Sequence, residues 1–314
     1  MTTRELVLRL CLLCMGQLAE VPEMATTEVQ DPIISIGQPV IEERVPRSHG
    51  GRSCQIMGII NMTPDSFYPE SRCIEPAVAI DRGMEMVEEG ADILDVGGES
   101  TRPGASPVSD AEEMDRVLPV VRGLSAHARI SIDTRKASVA REAIKEGASI
   151  INDVSSSLFH VAAEMRAGWI AMHMKGDPQN MQDSPSYTDV VDEVERFLLD
   201  AAGRATSSGV SEIWIDPGIG FGKTLEHNIE LLKALPRLVA DGFPVLVGTS
   251  RKSFLGMLAR DCMCGDTPGP SMRLPGSLAT AVWASINGAS VVRVHDVLAT
   301  KHAFKLLDAS YGGS

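Results

Sequence analysis

Eight times between Gln55 and Val297, a short run rich in Ile and Val stops at a polar residue and gives way to a helix-like stretch. The first four runs are Gln55 to Ile60 before Asn61, Ile93 to Val96 before Glu99, Ile130 to Ile132 before Asp133, and Ile150 to Ile151 before Asn152 and Asp153. The other four are Trp169 to Met172 before His173, Ile213 to Ile215 before Asp216, Val245 to Gly248 before Ser250 and Lys252, and Val291 to Val292 before Arg293 and His295. A strand buried on both faces reads as unbroken apolar sequence, and strands alternating with helices build parallel βα units. Eight such units predict an α/β fold, a closed (β/α)8 TIM barrel, whose reactive groups gather at the C-terminal strand ends. The polar residues that end the runs are therefore expected to converge on one mouth.

A barrel of this kind takes about 250 residues, so a chain of 314 divides into an N-terminal extension, 1–51, and a barrel domain, 52–314. The extension, with its Pro, Glu and Ser content, is expected to be poorly ordered. A net charge of −13 disfavours nucleic acid and anionic membrane surfaces as partners. Arg102, Lys252, Arg293 and His295 nevertheless gather at strand ends, and a basic mouth on an acidic body suits an anionic ligand. The apolar stretch Leu6 to Ala19 is interrupted by Arg9 and too short to span a bilayer. Its leading residues carry no net positive charge, which disfavours a secretory signal. Six scattered cysteines read as reduced thiols of a cytoplasmic protein; the pairs Cys11/Cys14 and Cys262/Cys264 lack the flanking sequence of a zinc ribbon.

The intervening segments read as outer helices. Pro76 to Glu89 sets Val78, Met84 and Val87 as an apolar stripe among charges, and Val190 to Ser207 does the same with Val190, Val191, Val194, Phe197 and Leu198 before the stop at Gly209. A third helix opens at Asp110 with Glu112 and Glu113 in its first turn, where acids suit the helix dipole; these charges are expected to face solvent. Met114, Met165 and Met257 are expected to pack. Two connections, Asn61 to Glu75 and Gly97 to Ser109, are much longer than the usual two to six residues of a βα turn, and such loops are commonly functional.

Several strand ends carry chemistry. Asn61 to Phe67 offers an amide, hydroxyls and a carboxylate suited to a hydrated Mg²⁺ with its anion, and Gly97 to Gly104 offers glycines, hydroxyls and Arg102 for an oxyanion. Asp133, Asn152 and Asp216 end strands three, four and six, and buried carboxylates there would be costly unless a nitrogen-rich heterocycle or a cation met them. Asp216-Pro-Gly-Ile-Gly-Phe-Gly-Lys223 would place Phe221 against a planar ligand. Ser250 to Ser253 and Arg293 to Asp296 supply cations in the usual phosphate-binding quarter of the barrel.

From about Gln55 to Ala309 the chain resembles the dihydropteroate synthases, through NMTPDSF, DVGGESTRPGA, SIDT, IND, DPGIGFGK, GTSRKSF and RVHDV. The resemblance implies an enzyme of folate biosynthesis that joins p-aminobenzoate to 7,8-dihydropterin-6-ylmethyl pyrophosphate, with Mg²⁺, in a homodimer that is also a sulfonamide target. It assigns Asp133, Asn152, Asp216 and Lys252 to the pterin ring, with Met172, Phe221 and Gly248 lining its slot. It assigns Asn61, Thr101, Arg102, Arg293 and His295 to the pyrophosphate, Asn61 also to Mg²⁺, and Phe67, Thr101, Pro103, Phe221, Ser250 and Lys252 to p-aminobenzoate. Asp133, Asp216, Lys252, Arg293 and His295 are the implied catalytic set, balancing a pterin cation and a leaving pyrophosphate. After Phe67 the family usually continues Ser-Asp-Gly-Gly; here Tyr68-Pro69-Glu70-Ser71 follows, and Pro69 should stiffen and reshape that loop. Two other readings share the pterin contacts. A pterin-dependent methyltransferase domain would not need the cations at Lys252 and Arg293, and a non-catalytic pterin-binding paralogue would explain the altered loop.

Overall fold

The computed structural model describes residues 54–63, 75–100, 106–177, 180–260 and 267–310. The N-terminal extension, the loop from Asp65 to Ser71, Thr101 to Pro103 and both cysteine pairs lie outside the described residues.

Eight parallel strands follow the expected runs: β1 Gln55–Asn61, β2 Ile93–Gly97, β3 Arg129–Asp133, β4 Ile150–Asp153, β5 Gly168–Met172, β6 Ile213–Asp216, β7 Leu246–Val247 and β8 Val291–Val294. They neighbour one another in the order β6-β5-β4-β3-β2-β1-β8-β7. The ring closes at a bridge from Ile215 to Val245, with the Ile215 N–H donating to the Pro244 carbonyl at 2.9 Å. Each strand is followed by helix: α1 Pro76–Glu89, α2 Asp110–Leu124, α3 Ala137–Lys145, α4 Phe159–Met165, α5 Val190–Ser207, α6 Leu225–Lys233 and α7 Leu235–Ala240, α8 Ser253–Ala259 and α9 Leu274–Ile286, and α10 Val297–Ser310. No helix among the described residues is long and apolar enough to cross a membrane.

Side-chain alternation along the strands decides what reaches the mouth. Met57, Ile93, Ile150, Ile170, Trp214, Leu246 and Val291 form one apolar cluster separate from the main core. Successive strand residues point to opposite faces, so the residues two places further on share that cluster's side of the sheet, nearer the C-terminal ends. Those residues are Ile59, Asp95, Asn152, Met172, Asp216, Gly248 and Arg293. The same phase on β3 runs from Ser131 to Asp133. An apolar plug thus carries a polar storey directly above it.

The alternation also corrects two expectations. Asp153 and His173 are out of phase with that storey and do not join the mouth. Asp153 is fully buried and accepts from the Leu158 N–H at 2.6 Å and Trp169 Nε1 at 3.2 Å, fixing the entry to α4. His173 packs edge-on to Phe197 of α5, with ring centroids 5.1 Å apart.

The helices hold most of their expected faces. In α5, Val190, Val194 and Leu198 are buried and Val191 and Phe197 pack against the core, behind an Asp189 cap that accepts from the Asp192 N–H at 2.9 Å. In α1 the buried face is Ala79, Gly83 and Met86, whereas Val78 is exposed. Gly83 explains the rotation, because a Cβ there would sit 2.5 Å from Leu124 of α2, so the two helices meet across that glycine. Glu113 also departs from expectation: it is fully buried and meets Lys136 at 2.6 Å, so the first turn of α2 is not wholly a solvated face. Met114 and Met165 pack as expected, but Met257 is exposed.

Candidate active site

The strand ends surround a cavity of about 430 Å³, within the range of small-molecule sites. Of the residues the sequence singles out, Asn61, Asp133, Phe221, Gly248, Ser250, Lys252, Arg293 and His295 line it. Asn152, Met172 and Asp216 do not line it; all three are buried, on β4, β5 and β6. Phe67, Thr101, Arg102 and Pro103 lie outside the described residues.

Arg293 explains part of this concealment. Its Nε donates to Asp95 Oδ2 at 2.6 Å and its Nη2 to Asp133 Oδ2 at 2.8 Å. The cation thus lies between two carboxylates, rather than free for an anion as the sequence suggested. Asp95 is a residue the sequence reading missed. It is wholly buried, it also accepts from Asn152 Nδ2 at 3.0 Å, and its Oδ1 has no hydrogen-bond partner among the described residues. Burial and the neighbouring acids Asp95, Glu113 and Asp153 push the Asp133 carboxyl up, against the opposing pull of Arg293. Burial also raises Asp216, while Lys252, the Gly218 N–H, Lys223 and Arg293 hold it down. Two carboxyls reluctant to ionise, under a ceiling of cations, suit a ligand that brings hydrogen-bond donors and positive charge.

The loop after β6 is held in one shape. Gly218, Gly220 and Gly222 have φ of 64, 85 and 61°, a region that disfavours side chains. A Cβ at Gly218 would come 1.8 Å from the His173 carbonyl oxygen, and one at Gly222 would come 2.2 Å from that of Lys175. Five consecutive carbonyls in this loop each accept from a side chain. Lys223 Nζ serves Gly218 and Phe221 at 3.0 Å each, Gln182 Nε2 serves Gly220 at 2.7 Å, Tyr187 Oη serves Gly222 at 2.8 Å, and Lys252 Nζ serves Ile219. Lys223 is buried and contacts His173 Nδ1 at 3.0 Å. Burial pushes this ammonium down to about 7, and burial beside it pushes the His173 imidazole down to about 3. The imidazole is therefore neutral. Phe221 is held at the wall with Lys252 Nζ 4.6 Å from its ring centroid.

Loops seven and eight are locked together. Arg251, at φ 58°, pairs with Asp296, and its backbone N–H donates to Ser277 Oγ at 2.9 Å. Ser250 Oγ accepts the His295 backbone N–H at 3.1 Å and lies 3.0 Å from His295 Nδ1. When the hydroxyl proton goes to Nδ1, Nε2 carries the ring proton and becomes the donor. Ser250 thus serves His295 as well as lining the cavity.

The cavity wall also includes Ile59, Thr63, Glu99, Ser100, Met181, Gln182, Ser253 and Arg273. Glu99 was legible as a strand end. Met181 and Gln182 sit nine and ten residues beyond β5 in a segment with no apolar period, and no sequence signal marked them.

The profile of the pterin binding enzyme family matches residues 57–295. A dihydropteroate synthase of Synechocystis sp. is 44% identical over 268 residues, which cover 82% of this chain and 91% of that protein. Among solved structures, the Yersinia pestis dihydropteroate synthase with a sulfonamide drug complex superposes with a TM-score of 0.77 at 40% identity, covering 82% of this chain and 94% of that one. The Xanthomonas albilineans dihydropteroate synthase with 4-aminobenzoic acid gives a TM-score of 0.75 at 41% identity, covering 83% and 94%.

Proposed function

The chain belongs to the pterin-binding enzyme family, among its dihydropteroate synthases, and from that premise we propose that its barrel mouth joins a dihydropterin-6-ylmethyl pyrophosphate to p-aminobenzoate. The observation that carries the residue assignment is the polar storey itself. Asp133, Asn152 and Asp216 lie on one side of β3, β4 and β6, with Lys252 and Arg293 beside the carboxylates. A pterin edge bearing ring N–H and amino donors satisfies the three acceptors, and Met172, Phe221 and Gly248 flank its ring. Pterin entry requires Arg293 to release Asp133 and Lys252 to release Ile219, and the pyrophosphate is the partner each cation then finds. His295 Nε2 adds a third donor to that anion, with Arg102 and Thr101 of the second loop. Phe67, Thr101, Pro103, Ser250, Phe221 and Lys252 surround p-aminobenzoate.

In the reaction the bond from the methylene carbon to the pyrophosphate oxygen breaks, and its electron pair leaves with the pyrophosphate. The arylamine nitrogen then forms the new C–N bond and loses a proton to solvent. Asp133 and Asp216 balance the pterin cation, while Lys252, Arg293 and His295 meet the growing negative charge. Asn61 and Thr63 at the cavity wall offer hard oxygen donors, and the described residues hold no cluster of three His, Cys, Asp or Glu suited to a metal. That donor set fits Mg²⁺ held by Asn61 together with substrate phosphate oxygens, its common habit. Bound there, it would supply further positive charge to the leaving group.

The assay is pyrophosphate release with Mg²⁺, with and without p-aminobenzoate. The reading expects release that depends on p-aminobenzoate and yields dihydropteroate. Pterin binding without turnover would instead identify the non-catalytic alternative.

A pH profile tests Lys252. Burial pushes its ammonium down to about 8, with Arg293 acting in the same sense and Asp216 and Asp133 opposing. The charged form is the donor, so kcat/KM should fall as pH rises through about 8. The limb in kcat should lie higher, because bound pyrophosphate favours the ammonium. Lys252→Arg should remove this limb, since guanidinium stays protonated throughout. A wild-type limb that persists in Lys252→Arg would assign it to another group.

We also infer a homodimer through the α8–α9 region, where Met257 and Leu258 of α8, Met272, and Trp283 of α9 are all exposed. These large apolar side chains from consecutive segments form the kind of surface that partners cover. Sedimentation of the full chain as a monomer at micromolar concentration would remove this reading.

A further inference from the structure

The turn from β3 into α3 commits four successive side chains: Asp133 to a cation, and Thr134, Arg135 and Lys136 to surrounding acids. Asp133 meets Arg293, Thr134 Oγ1 donates to Glu113 Oε1 at 2.6 Å, and Arg135 Nη2 reaches Glu99 Oε1 at 2.7 Å. Lys136 completes the set with three partners for its three N–H donors: Glu99 Oε2, Glu113 Oε2 at 2.6 Å and the Val108 carbonyl at 2.7 Å.

These partners come from separate places in the chain. Glu99 lines the cavity just beyond β2, Val108 precedes the Ser109 cap of α2, and Glu113 is buried in the first turn of that helix. One ammonium therefore gathers both described stems of the connection between β2 and α2, on a turn that starts at Asp133. A fully buried carboxylate would be costly without such a cation, so the tie is built into the core. Lys136 is only partly exposed, and although burial opposes its charge, the bonds to Glu113 and Glu99 hold the ammonium above its usual range.

We propose that Lys136 is a positioning residue that fixes the two stems of the second loop, at Glu99 and Val108, to the turn bearing Asp133, and so sets the second-substrate side of the cavity in register with the pterin side. The inference rests on the proposed function, in which the residues directly after Glu99 and Ser100 serve p-aminobenzoate and pyrophosphate. Fixing both stems in advance spares the ordering entropy that these two described segments would otherwise lose on binding. Lys136 touches no substrate; it acts through Glu99.

The test compares Glu113→Gln with Glu113→Gln/Lys136→Met, so that no buried charge is left unpaired while Glu99 keeps Arg135. Glu113→Gln alone should retain wild-type kinetics. The double variant should raise KM for p-aminobenzoate about tenfold or more while KM for the pterin pyrophosphate moves less than about twofold, a split that general weakening of the fold would not produce. Pyrophosphate released per dihydropteroate formed should also rise above the wild-type ratio. In that side reaction water takes the place of the amine at the methylene carbon, giving a hydroxymethyl pterin and a proton. Glu99→Met cuts the same tie from its other end, leaves Glu113 paired, and should show the same signature should the double variant not fold. Equal change in both KM values, or none in either and an unchanged product ratio, overturns the proposal. Absence of dihydropteroate from wild-type protein would instead overturn the proposed function.

Discussion

Arg293→Met is expected to lower turnover by about two to three orders of magnitude and to cost about 3–5 kcal/mol of stability, the usual penalty for stranding buried charges. The guanidinium is the cation that bonds both Asp95, which is wholly buried, and Asp133, which is largely so. Without it, two carboxylates in adjacent strands face each other with Asn152 as the remaining neutral donor to Asp95. Thermal unfolding should fall on the order of 10 °C for a chain of this size. Loss of its contact with the leaving group should separately lower kcat by about 10²–10³, the range for removing one preorganised donor to a developing anion. Asp95→Asn/Arg293→Met separates the two effects. Neutralising Asp95 should restore most of the stability and none of the rate. Recovery of turnover in the double variant would mean that Arg293 serves only to neutralise Asp95.

Asp216→Asn should move stability and activity in opposite directions. Burial raises the folded-state pKa of Asp216 above its unfolded value, so at neutral pH the ionised carboxylate opposes folding. An asparagine keeps an oxygen for the Gly218 N–H, which Asp216 Oδ1 accepts at 2.7 Å, and removes the charge. The melting temperature should therefore rise at pH 7, and the difference should shrink as pH falls through the folded pKa towards the unfolded one. Catalysis should suffer, because an amide presents a donor where the pterin edge also donates. Two charge-assisted hydrogen bonds of about 1.5–3 kcal/mol each correspond to roughly 10²–10⁴ in kcat/KM. A variant that is less stable than wild type yet fully active would reverse both parts of this account.

The strands and their order of chemistry were legible because each run is short, apolar and bounded by a polar residue. What the runs concealed was phase. Asp95 sits inside Ile93 to Val96 and reads as a lone polar interruption, yet it is two residues beyond Ile93 of the plug and so faces the polar storey. His173 and Asp153 follow their runs as Asp216 follows Ile215, but alternation sends them the other way. Glu113 looked like a dipole-matching acid on a wet helix because its partner, Lys136, is 23 residues away on another turn. The glycines of DPGIGFGK were visible as a loop. Their physical necessity, three left-handed positions packed against the His173 and Lys175 carbonyls, needed the neighbouring segment to be in place. Local period thus gave the elements, and long-range pairing decided which polar groups belong to the site.

The most direct test of the residue assignment is a crystal structure with a dihydropterin pyrophosphate analogue bound. The account predicts the pterin donors on Asp133, Asn152 and Asp216, Lys252 moved from the Ile219 carbonyl to the ligand, and Arg293 with His295 on the pyrophosphate. A ring bound elsewhere in the cavity, with Arg293 still holding Asp95 and Asp133, would contradict it.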